Sequence, residues 1–196
     1  GVAAGAPHAA RGCIDLFIRR DPRRPTRMQA LDSGEAEAAA RLGSRPHVSE
    51  SGYSDPRLDT RPRAARTHYR VLRTLYGATV LRLELETGRT HQIRAHLRRV
   101  GTPLLGDPIY GPGCEHGRRI GGSVRGPREE IEAALRVAAS LKRPALHASD
   151  LEFTHPRSGE SLRFRAPLPD DLRTLVHRLG GIGPAPVGSA SAGPAV

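Results

Sequence analysis

The sequence predicts an α+β fold, a mixed or antiparallel sheet with flanking helices, on two observations. First, short runs alternate apolar and polar residues: in Val80–Glu86, Leu81, Leu83 and Leu85 share one face while Arg82, Glu84 and Glu86 share the other. Second, other stretches have the spacing of a helix with one buried stripe, as at Ile93, Leu97 and Val100 or at Leu172, Leu175, Val176 and Leu179.

In chain order, residues 1–11 are rich in Ala, Gly and Pro and are expected to be a loose start. Cys13–Ile18 reads as a strand ended by the charged turn Arg19-Arg20-Asp21-Pro22. Residues 30–66 are polar and loop-like, with an Ala/Glu stretch at Glu35–Leu42 that suits a short helix, and are expected to be a surface insertion. Thr67–Leu75 and Val80–Glu86 read as an antiparallel pair joined through Tyr76-Gly77. Gly88 ends the second strand. Thr90 is the expected N-cap of a helix His91–Val100 that stops at Gly101, with Arg94 and Arg98 one turn apart on its other face. After a Gly- and Arg-rich loop at Pro112–Pro127, Arg128–Leu141 has helical composition. Leu151 and Phe153, then Leu162 and Phe164, alternate about His155–Gly159 as a β-hairpin. A last helix starts at Pro169-Asp170-Asp171, where two carboxylates suit the positive end of the helix dipole. Residues 180–196, all Gly, Pro, Ala, Ser, Ile and Val, are expected to be a disordered tail.

The formal charge of +11 favours a polyanionic partner, and all but one of the 31 basic residues are arginine, Lys142 being the exception. Arginine over lysine also follows from GC-rich coding, so only the net charge is used as evidence. Cys13 and Cys114 are far apart and unpaired in sequence, which argues against a zinc ribbon or disulfide framework and fits a reducing cytoplasm. No apolar run is long enough for a membrane span. The nine histidines include no H-E-x-x-H, and no metal or cofactor is expected.

The most informative stretch is Leu85-Glu86-Thr87-Gly88-Arg89-Thr90-His91-Gln92-Ile93-Arg94, followed by Pro103–Gly111. A strand, a glycine turn and a helix amino end crowded with Arg, His, Gln and free N–H groups form a natural anion site. On the residues alone, Arg89 and Arg94 are equally suited to capping carbonyls or pairing with acids. Asp107 and Tyr110, in a Gly-Asp-Pro-x-Tyr-Gly turn, are expected to hold that loop in shape rather than act as an acid/base pair.

The run Thr87–Arg94 resembles the T-G-R-T-H-Q-I-R signature of the RluA-type RNA pseudouridine synthases, and Pro103–Gly111 resembles their P-L-x-G-D-x-x-Y-G continuation. Gly12–Met28, Ala65–Leu72 and Leu146–Asp170 resemble further segments of that family, in its order. The resemblance makes residues 12–179 a partial catalytic domain, and it implies isomerisation of uridine to pseudouridine in ribosomal or transfer RNA, without metal or organic cofactor, by a monomer. In the family an Asp in R-L-D-x-x-T-S-G attacks a flipped-out nucleotide. That motif and the Tyr that stacks on the base lie upstream of every matched segment, so the chain, which begins at Gly1, is expected to be a fragment. The alternative is a non-catalytic RNA-binding remnant. By resemblance Arg94 pairs with the catalytic Asp and Leu146 walls the uracil pocket; Arg89, His91, Gln92 and Arg98 are the candidate RNA contacts. Arg57-Leu58-Asp59 spells R-L-D, but Thr-Ser-Gly does not follow and the position is wrong, so Asp59 is read as a surface residue.

Overall fold

Alternation along the chain builds strands that pair antiparallel throughout the computed structural model, which describes residues 1–42, 47–48, 54–55, 60–112 and 124–181. In order these are β1 (Val2–Ala4), β2 (Arg11–Arg20), β3 (Met28–Leu31), α1 (Ser33–Arg41), β4 (His47–Val48), β5 (Ser54–Asp55), β6 (Arg63–Leu75), β7 (Ala78–Leu85), α2 (Gln92–Arg99), α3 (Arg128–Ala138), β8 (Asp150–Thr154), β9 (Ser161–Arg165) and α4 (Asp170–Gly181). The central sheet has five strands in the order β1-β7-β6-β2-β3; β4-β5 and β8-β9 form two small separate ribbons. Asp59, Cys114 and residues 182–196 lie outside the described residues.

The β6–β7 pair is the longest, and a bulge between Val71 and Arg73 shifts its register. Its turn needs Gly77, whose φ is +64° and whose absent side chain lets Glu130 O of α3 approach; a Cβ would sit 2.0 Å from that oxygen. Behind the sheet, Leu75 and Ala78 pack with Ala134 and Ala138 of α3 and Leu172, Leu175 and Leu179 of α4. In front, Ile14, Leu81 and Leu104 pack on Leu97 of α2.

Three expectations change. The start is not loose: Val2, Ala3 and Ala4 are almost fully buried, paired with β7 on one side and bonded on the other through Val2 N–H to Ala145 O and Leu105 N–H to Val2 O. Small side chains suit this strand because both of its faces meet core. The expected insertion at 30–66 is narrower, since β3 runs to Leu31, α1 buries Ala36 and Ala39 against Leu31, and β6 begins at Arg63. Asp32 caps α1 in a reciprocal box with Glu35. Finally, Thr90 is not the N-cap of α2; that position is His91.

Candidate active site at the amino end of α2

Between β7 and α2 the chain turns with its polar groups satisfied by one side chain. Gln92 Oε1 accepts from Arg89 N–H (3.0 Å) and from the Thr87 hydroxyl (2.8 Å), while Gln92 Nε2 donates to Arg66 O (2.9 Å) and Thr67 Oγ1 (3.1 Å). The Gln92 amide thus ties this turn to β6, while the N-cap residue His91 makes no side-chain cap bond. Gln92 is 3% exposed with both ends of its amide spent inside, so it braces the turn and is not placed to meet RNA.

His91 is the only described non-glycine residue with positive φ, at 53°. Such a backbone costs about 1–3 kcal/mol and persists where surrounding contacts impose it. Here the contact is Tyr110, whose hydroxyl lies 3.1 Å from His91 Nδ1 and whose ring meets the imidazole edge-on. Tyr110 Oη also accepts from Met28 N–H at 2.6 Å. Its own proton therefore goes to His91 Nδ1, leaving the imidazole proton on Nε2. Burial first, and the Arg94 charge second, lower the His91 pKa, consistent with a neutral ring.

One turn along α2, Arg94 forms a two-pronged pair with Asp107: Nε to Oδ2 at 2.7 Å and Nη2 to Oδ1 at 2.7 Å. The Asp107 side chain is 0% exposed and that of Arg94 15%. Asp107 Oδ1 also accepts from Ile109 N–H (2.9 Å) and Tyr110 N–H (3.0 Å), which holds the turn as the sequence led us to expect. Burial pushes the Asp107 carboxyl up, but the hydrogen bonds and charge of Arg94 and the two amides outweigh it and leave the pKa lowered. The hydrogen bond to Asp107 raises that of Arg94. The Tyr110 ring lies 4.8 Å from the Arg94 guanidinium carbon and 5.6 Å from that of Arg27.

Arg98 Nη1 donates to Tyr110 O at 3.1 Å, and Arg99 is held by Asp32 and Glu35. Beside them a cavity of about 420 Å³ opens, lined among others by Arg27, Met28, Ala95, Arg98 and Tyr110. Arg89 is exposed, with Nε 3.4 Å from Ala64 O. Leu146 is half-buried in the cluster of Leu81, Leu97 and Leu104, a different cluster from that of Tyr110. The structure thus joins Arg94, His91 and Arg98 through Tyr110, and sets Leu146 and Arg89 apart. Sequence reasoning missed the pairing of Arg94 with Asp107, because a contact across a 13-residue loop leaves no periodic signal.

Residues 27–99, which include α2 and its turn, match the family model of RNA pseudouridylate synthase. Over 168 residues the chain is 44% identical to ribosomal large subunit pseudouridine synthase D of Nitrosomonas europaea, covering 86% of this chain and 36% of that protein. The chain belongs to the RNA pseudouridine synthase family. It is also 37% identical over 168 residues to an uncharacterized RNA pseudouridine synthase of Chloroflexus aurantiacus (86% of this chain, 37% of that one). With the chloroplastic RNA pseudouridine synthase 2 of Arabidopsis thaliana it shares 35% over 180 residues, 91% of this chain and 36% of the relative. The solved structure of human RNA pseudouridylate synthase domain containing 4 shares the fold at 22% identity, with a TM-score of 0.56 over 91% of this chain and 59% of that one. The chain therefore spans about a third of the length of the curated relatives it matches. Among the described residues no helix is long and apolar enough to cross a membrane, and no group of three or more His, Cys, Asp or Glu side chains is placed to hold a metal ion.

Proposed function

We propose that this chain carries the later part of an RNA pseudouridine synthase domain, which isomerises uridine to pseudouridine in structured RNA. The observation that carries this reading is the Thr87–Arg94 signature folded as the turn after β7 and the start of α2, with a half-buried, tightly oriented guanidinium at Arg94. Large-subunit ribosomal RNA is the favoured substrate over transfer RNA, since the Nitrosomonas relative is named for it. The net charge of +11 suits the phosphate backbone, with Arg89, Arg98 and the Nε2–H of His91 as contacts. The reaction needs no metal or organic cofactor in this reading, and the setting is cytoplasmic.

Catalysis requires a carboxylate that attacks the flipped nucleotide, and residues 1–196 contain no R-L-D-x-x-T-S-G. Arg94 pairs with that carboxylate through the guanidinium edge that Asp107 leaves open, keeping it ionised. The chain alone is therefore expected to bind RNA and form no pseudouridine. A chimera in which it replaces the matched segment of the Nitrosomonas protein, and so receives that protein's upstream half, is expected to convert uridine in ribosomal RNA. Pseudouridine formed by the chain alone would show that the nucleophile lies within it. A folded chimera that binds RNA without turnover would favour the non-catalytic remnant instead.

A further inference from the structure

Burying a carboxylate costs several kcal/mol unless its oxygens are satisfied, and a buried ion pair often adds little net stability over an apolar pair of the same size. Its effect is then geometric. Asp107 is oriented by its own turn, through the N–H groups of Ile109 and Tyr110, independently of α2. Arg94 is oriented by Asp107, with the Tyr110 ring closing one face of the guanidinium. Among the described residues Nη1 of Arg94 makes no hydrogen bond, and the side chain keeps 15% exposure.

We propose that Asp107 is a positioning residue, which fixes the Arg94 fork through Nε and Nη2 so that the Nη1 edge is the one presented to an acidic group arriving at the site. The proposal rests on the functional reading above, but the orientation it describes is measurable without turnover. Asp107→Asn keeps Oδ1 for the two amides and for Nη2 of Arg94 but turns an NH2 donor toward its Nε–H donor, so the turn survives while the Nε prong is lost and a single remaining bond no longer fixes the fork.

The test uses the full chain, labelled with ¹⁵N at arginine, with the Arg94 Nε–H signal identified by its loss in Arg94→Lys. In the unmutated chain this proton is expected to exchange with water at least about tenfold more slowly than that of exposed Arg157. In Asp107→Asn the difference is expected to vanish while backbone amide signals and RNA affinity persist. In the chimera the same substitution is expected to lower kcat by about 100-fold, as misplacement of a reacting group does, with KM for RNA unchanged. Protection of the Arg94 proton that survives in Asp107→Asn, or exchange at the exposed rate in the unmutated chain, would overturn the proposal. A KM that rises in step with the fall in kcat/KM, with kcat unchanged, would overturn it too. Should Asp107→Asn fail to fold, the unmutated exchange rate and the kcat of the Arg94→Lys chimera, expected to be low at normal KM, decide the matter. An inactive unmutated chimera would count against the functional reading and leave the exchange comparison to judge Asp107.

Discussion

Lowering the pH should remove stability through His96. This side chain is fully buried on α2, with Nδ1 3.0 Å from Thr67 Oγ1 and Nε2 finding no hydrogen-bond partner among the described residues. Thr67 Oγ1 accepts from Gln92 Nε2, so its own proton goes to His96 Nδ1 and the ring is held neutral. Burial lowers the His96 pKa from 6.5 to about 4. Above the unfolded value both states are neutral and the group contributes no pH dependence. Below it the unfolded chain takes up a proton that the folded one refuses, so stability falls with pH until the folded value is reached. At about 1.4 kcal/mol per tenfold change in proton affinity, the interval is worth about 3 kcal/mol. Urea denaturation across this range measures it, with His96→Asn as the comparison because the Asn Oδ1 takes the place of Nδ1. The unmutated chain is expected to lose about 3 kcal/mol more than the variant between the two values. His91, whose pKa is also lowered, titrates in both proteins and cancels from the difference. Parallel curves for the two proteins would refute the argument.

Other outcomes follow from the same contacts. Gln92→Ala removes the side-chain acceptor of Arg89 N–H and one of the two donors to Arg66 O, the other being Glu86 N–H, and is expected to cost about 1–3 kcal/mol in chemical denaturation. Gly77→Ala forces a side chain into a left-handed turn 2.0 Å from Glu130 O, so it is expected to cost about 2 kcal/mol or more, read as a lowered Tm. RNA affinity is expected to fall by about 100-fold between about 50 and 200 mM salt, as neutralising about four phosphates would give. A flat salt titration would contradict the role assigned to the net charge of +11.

Much of the fold was legible because burial imposes a period. Leu81, Leu83 and Leu85 announced β7, and Leu172, Leu175 and Leu179 announced α4. β1 was not legible, because Val2-Ala3-Ala4 has no alternation: both faces are buried, and only the tertiary surroundings make small residues the right ones. The helix at Glu35–Leu42 was foreseen, but not its packing on Leu31, which turns part of an expected insertion into core. At the site, the residues of the signature could be listed from sequence, yet their duties could not. Gln92 looked like an RNA contact and is a buried brace, and His91 owes its backbone to a tyrosine 19 residues away. Such pairings depend on where a loop returns, which no local pattern encodes.

The span of the contacts around Arg94 has a consequence for the order of assembly. Arg94 and Asp107 are 13 residues apart and His91 and Tyr110 19, whereas Met28 reaches Tyr110 across 82. Closing a short loop sacrifices less chain entropy than closing a long one, so local contacts tend to be made first. The guanidinium clamp can therefore form on α2 and its following turn before β3 docks through Met28 and before β1 seals the far edge of the sheet. Pulse-labelled hydrogen exchange during refolding would then protect the amides of Ile109 and Tyr110 ahead of those of Met28 and Val2. On that ordering the site's central geometry is a product of early folding, inherited by the sheet rather than imposed by it.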